Sequence, residues 1–105
     1  MSKSITKLDD FNDLLLNNKY VIADFYAEWC GPCKQIAPLF EKMAKKYGDK
    51  IKFCKIDIEK AQEIAEICNI SSMPTFRIYQ DAKNIDKIVG ADMKRLLDIV
   101  KNLSF

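Results

Sequence analysis

Two cysteines three positions apart, in Trp29-Cys30-Gly31-Pro32-Cys33-Lys34, directly follow an apolar run, Tyr20 to Ala27, that one carboxylate, Asp24, interrupts. Thiols so spaced can hold half of a metal site, staple a loop, or exchange electrons with other sulfurs. A metal site needs two more ligands. The chain has no histidine, and its other two cysteines, Cys54 and Cys68, are far apart in sequence on the apolar registers of a strand and a helix. Metal binding is therefore disfavoured, and both of these cysteines read as small buried hydrophobes. The lack of histidine also excludes Ser/His/Asp and Cys/His catalysis within the chain, so proton transfer falls to carboxylates, lysines or thiols.

A structural staple suits an oxidising compartment. Met1 to Asp10 has no apolar core and contains acidic residues, so it reads as neither a secretory leader nor a membrane span. The expected compartment is the cytoplasm, where permanent disulfides are rare, and redox exchange is the preferred reading. Cys33 opens an apolar stripe continued by Ile36, Ala37, Phe40, Ala44 and Tyr47, so its thiol should be covered, whereas Cys30 on the preceding loop should be the accessible one. Gly31 permits a tight turn, Pro32 suits a first helical turn, and the free N–H groups of that turn favour a thiolate at Cys30. Burial of Asp24 should raise its pKa and make it a proton acceptor near neutral pH, unless it serves only to bond a nearby backbone group or lysine.

Several elements must position these groups. A short strand near Lys3 to Thr6 precedes a helix from Leu8 to Asn17, with Thr6 and Asp9 resembling a capping box. Tyr20 to Ala27 has the composition of a central strand covered on both faces. The Cys33 helix contains Pro38, which should kink it, and ends at Gly48. Ile51 to Ile58 reads as a third strand, and Ala61, Ile64, Ala65 and Cys68 as one face of a short helix. Thr75 to Tyr79 and Ile85 to Val89, separated by the polar Gln80 to Asn84, form a hairpin. A last helix, capped by Asp92, turns Met93, Leu96, Leu97, Val100 and Leu103 inward. The order βαβαβαββα implies a mixed five-stranded sheet with four helices on its two faces, in one domain over residues 1–105. The net charge of +2, from 17 basic and 15 acidic residues spread along the chain, suggests no nucleic-acid stripe.

The hexapeptide Trp29 to Lys34, Asp24 before it, Met73-Pro74-Thr75 and Gly90 together resemble the thioredoxin family. The resemblance covers the whole chain and implies the thioredoxin fold. It implies that Cys30 attacks a substrate disulfide and that Cys33 resolves the mixed disulfide. Asp24, with Lys55 nearby on the next strand, would deprotonate Cys33. Met73-Pro74 would be a cis peptide facing the dithiol. Trp29, Gly31, Pro32, Ile58, Met73, Pro74, Gly90 and Ala91 would form the docking surface. No cofactor would be bound, since NADPH and FAD belong to the partner thioredoxin reductase. Other partners would be disulfide-containing proteins of the peroxiredoxin or ribonucleotide reductase type, met by a monomer with no membrane or nucleic acid involved. Ala82 stands where the family commonly has glycine and Tyr26 where many members have tryptophan, which leaves Trp29 the only tryptophan. Two rivals are an oxidase or isomerase of the protein disulfide isomerase kind, which would carry histidine in place of Pro32, and a scaffold module without redox turnover.

Overall fold

The computed structural model describes residues 1–105. Five strands and four helices follow in the order β1 (Lys3–Ser4), α1 (Leu8–Asn17), β2 (Tyr20–Tyr26), α2 (Gly31–Tyr47), β3 (Lys52–Asp57), α3 (Gln62–Ile67), β4 (Thr75–Gln80), β5 (Lys83–Val89) and α4 (Met93–Leu103). They form one sheet with strand order β1-β3-β2-β4-β5, in which β2 runs parallel to β3 and antiparallel to β4. No helix is long and apolar enough to cross a membrane.

The nearly continuous apolar run of β2 reflects cover on both of its faces. Val21, Ala23 and Phe25 point to one side, where they pack with Phe11, Leu14 and Leu15 of α1 and Ile64 of α3. Ile22 points to the other and joins Ile36, Phe40 and Met43 of α2 with Leu96 and Val100 of α4. On this second side Phe40 sits between Phe53 and Phe76, at ring-centroid distances of 5.5 and 5.9 Å. Asp24 shares the Ile22 face and is the one charged interruption of this strand.

Local chemistry explains most boundaries. Cys30 caps α2, whose helix continues through Pro38 without a break, and Gly48 ends it. A side chain at Gly48 would place its Cβ 2.5 Å from the Ala44 carbonyl oxygen, so only glycine fits. The Asp92 carboxylate accepts from the Arg95 N–H at 3.1 Å and starts α4. Two expectations need correction. The N-cap of α1 is Lys7, without a side-chain bond, so the Thr6 and Asp9 capping box does not form. The hairpin is tighter than its polar sequence suggests, because Lys83 and Asn84 pair with Gln80 and Tyr79 and leave only Asp81 and Ala82 in the turn. Both turn residues have positive φ, 53° and 66°, the signature of a primed turn that matches strand twist. Ile85 bulges out of the ladder, which is why the alternation in β5 is hard to read.

Candidate functional site

The end of β2 and the start of α2 converge on Cys30 and Cys33. The two cysteines form a disulfide with Cα atoms 5.3 Å apart. Cys30 has extended backbone angles, and its Sγ accepts from the Cys33 N–H at 3.2 Å. A residue bearing sulfur thus occupies the N-cap position, where an oxygen normally satisfies the orphan donors of the first turn. The same N–H would stabilise negative charge on Cys30 once the disulfide is opened.

Exposure does not separate the two thiols as expected. Each cysteine is 5% exposed, because both sulfurs turn inward against Ala27, with Tyr26, Ile58 and Met73 packed around them. Asymmetry lies instead in the helix N–H that points at Cys30. The surroundings are apolar and partly open: Trp29 is 65% exposed, and Gly31 and Pro32 also face solvent. The Met73–Pro74 bond is cis. The Gly90 N–H donates to the Pro74 carbonyl at 2.8 Å, which ties the end of β5, and Ala91 after it, to the proline loop.

Asp24 is 1% exposed, and its Oδ1 has no hydrogen-bond partner. The reading in which it merely bonds a backbone group or lysine therefore fails for that oxygen. Burial pushes its pKa from 3.8 up to about 7, opposed by Lys55 and reinforced by Glu41. Lys55 is the register partner of Asp24 on β3, and its Nζ lies 4.5 Å from the centre of the Tyr26 ring. A cleft of about 320 Å³, lined by Cys33, Lys55, Tyr26 and Ala37 among others, opens beside Cys33.

Glu41 was not singled out from the sequence. It is four residues after Ala37 and three before Ala44 on the inward stripe of α2, so a charge on an apolar register was the available signal. Its Oε1 accepts from the Ser2 N–H at 2.9 Å and its Oε2 from the Ser2 hydroxyl. Partial burial raises its affinity for protons, but these bonds, with the Lys55 and N-terminal charges, outweigh it and hold the carboxyl below the usual range. Cys54 is fully buried and burial pushes its thiol well above the normal range, so it is inert. Cys68, expected to be buried like Cys54, is only partly so, and its Sγ lies 3.8 Å from the Tyr79 hydroxyl. No three His, Cys, Asp or Glu side chains cluster closely enough to hold a metal ion.

A mixed sheet that delivers two thiols to the start of a helix, with a buried carboxylate on the strand that leads to them, defines a module for dithiol–disulfide exchange. The thioredoxin family model matches residues 2–102. The chain is 45% identical over 102 residues to a thioredoxin of Coprinus comatus, covering 96% of each sequence. Its fold is similar to the crystal structure of a Malassezia sympodialis thioredoxin at a TM-score of 0.93 and 38% identity, covering 100% of this chain and 92% of that one. It is also similar, at a TM-score of 0.90 and 36% identity over 96% of this chain and 94% of that one, to a structure concerning thiol resolution in yeast mitochondrial 1-Cys peroxiredoxin through glutathione and thioredoxin systems. The chain belongs to the thioredoxin family. Thioredoxins act on disulfide-containing targets through a redox-active disulfide and need no bound cofactor.

Proposed function

We propose that this chain is a general dithiol reductant of protein disulfides. The observation that carries the reading is the Cys30–Cys33 pair at the start of α2, with Cys30 Sγ receiving the Cys33 N–H. In the reduced protein the Cys30 thiolate attacks one sulfur of the target disulfide. The target S–S bond breaks, a bond from Cys30 to the target forms, and the displaced sulfur leaves as a thiolate that takes up a proton. Cys33 then gives its proton to Asp24 and attacks Cys30 Sγ. The mixed disulfide breaks, the second target sulfur leaves, and Cys30 and Cys33 remain joined. Two electrons have passed to the target.

Asp24, with a pKa near 7, is half ionised at neutral pH and suits a group that takes and returns a proton in each cycle. Lys55 beside it favours the charged form and assists the return. Trp29, Gly31, Pro32, Ile58, Met73, Pro74, Gly90 and Ala91 would form the surface that grips the target. The packing of Ile58 and Met73 against the cysteines, and the Gly90 N–H bond to the Pro74 carbonyl, support this role. Thioredoxin reductase, with its FAD and with NADPH, would restore the dithiol. Targets of the peroxiredoxin type are supported by the structural likeness to the yeast peroxiredoxin study. The protein would work as a monomer of one domain, residues 1–105, in the cytoplasm.

The reduced protein, supplied with a disulfide substrate, thioredoxin reductase and NADPH, should turn over. Cys30→Ser should abolish turnover. Absence of turnover in the wild type, or full turnover in the variant, contradicts the proposal.

A further inference from the structure

Behind the proline loop lies a polar cleft of about 140 Å³ between the α3–β4 connection and the β4–β5 hairpin. Arg77 and Lys87 stand directly opposite each other across β4 and β5 and both line it. Like charges placed opposite in an antiparallel pair repel, and an anion or a carboxylate between them would relieve that repulsion. The chain supplies neither. No Asp or Glu lines the cleft, and the three ion pairs of the molecule involve other cations. Asp86, the nearest acid in sequence, is engaged by Arg95 at 3.2 Å.

Arg77 is nevertheless held in place. Its Nη1 donates to the Cys68 carbonyl at 3.4 Å, and its Nη2 donates at 3.1 Å to the Asn84 side-chain oxygen in the amide orientation that satisfies both ends of Asn84. The guanidinium also lies 5.4 Å from the centre of the Tyr79 ring. All of these partners are neutral. They fix the fork without neutralising it, which is how a carboxylate receptor is preorganised. The cleft also borders, along the chain, the residues proposed to dock the target. Ser72 and Val89 line it, and each immediately precedes a residue of the proposed docking surface, Met73 and Gly90 respectively.

We infer that this cleft receives an acidic side chain of the target polypeptide, an Asp or Glu flanking the disulfide to be reduced, gripped by the Arg77 guanidinium with Lys87 beside it. The inference rests on the proposed role as a protein-disulfide reductant. It makes the chain selective for targets whose disulfides lie in acidic segments. Arg77 and Lys87 touch no reacting atom, so they set which targets dock rather than how fast sulfur attacks.

The test uses cystine-bridged peptides in which a Glu is walked along one flank of the disulfide, each compared with its Gln counterpart. At low salt the best-placed Glu should raise the rate of reduction by the wild type by roughly threefold to tenfold, as a charge-assisted contact at a partly exposed site does. High salt should erase the advantage. Arg77→Gln and Lys87→Gln should each reduce it and the double variant remove it, with rates on the Gln peptides unchanged. Equal rates for Glu and Gln peptides at every position, or an advantage that survives the double variant, would overturn the inference. Failure of the wild type to reduce any peptide would instead count against the reductant reading. Docking is then decided by titrating the serine analogues of the same peptides against the labelled protein. Salt-sensitive shifts at the amides of Ser71, Ser72 and Arg77 with the Glu peptide alone support the inference, and no such difference overturns it.

Discussion

At the scale of single residues, the site depends on where charge is tolerated. Asp24 is held in an apolar layer with an unpartnered oxygen, and its affinity for protons is correspondingly raised. Because its folded pKa lies above the ordinary value, the native state binds more protons than the unfolded chain between pH 3.8 and about 7, and stability falls as pH rises through that window. Above it the ionised group costs roughly 4 kcal/mol. Asp24→Asn should therefore be more stable than the parent above neutral pH by a few kcal/mol, with the gain vanishing below about pH 4, as urea unfolding at several pH values would reveal. The same substitution should remove an inflection near pH 7 from the rate of disulfide exchange. Cys30 and Cys33 are separated by polarity rather than by access, since both are equally covered in the disulfide form. Cys33→Ser should consequently retain targets as mixed disulfides through Cys30, and equal capture by Cys30→Ser would show that the helix N–H does not assign the roles.

Elements add constraints that single residues do not announce. The Asp81-Ala82 turn places an alanine at φ 66°, a conformation that costs a residue with a Cβ about 1 kcal/mol more than glycine. Ala82→Gly should raise the urea midpoint by an amount equivalent to about 1 kcal/mol at unchanged slope, less whatever the freer unfolded chain takes back. The tight turn was hidden because Lys83 and Asn84 look like loop residues. They are paired residues on an edge strand, where polarity reflects solvent and not irregularity. The longer periodicities were easier to read. The stripe from Cys33 to Tyr47, the β2 run and the Met93 to Leu103 face each report a buried surface, and each fell within a residue or two of its observed boundaries. Covering of Cys30 was not legible, because a loop residue is buried by contacts with Ile58 and Met73 that come from other parts of the chain. The hold of Ser2 on Glu41 was hidden for the same reason.

The whole molecule is a sheet insulated on both sides, and its rigidity is what keeps the dithiol, the carboxylate and the proline loop in register. Phe40 anchors α2 to the sheet from between Phe53 and Phe76 and is fully buried. Phe40→Ala should cost about 3 to 5 kcal/mol, readable as a fall in the thermal midpoint, and should slow exchange at temperatures where α2 loosens. The edges of the sheet have a different character. One edge, β1, is only two residues long, and the other, β5, presents Lys83, Asn84 and Lys87 to solvent and is interrupted at Ile85. Short, charged and bulged strands make poor templates for a further strand. Extended segments of other chains can thus approach the loop end of this protein with little on either sheet edge to recruit them into its hydrogen-bond ladder.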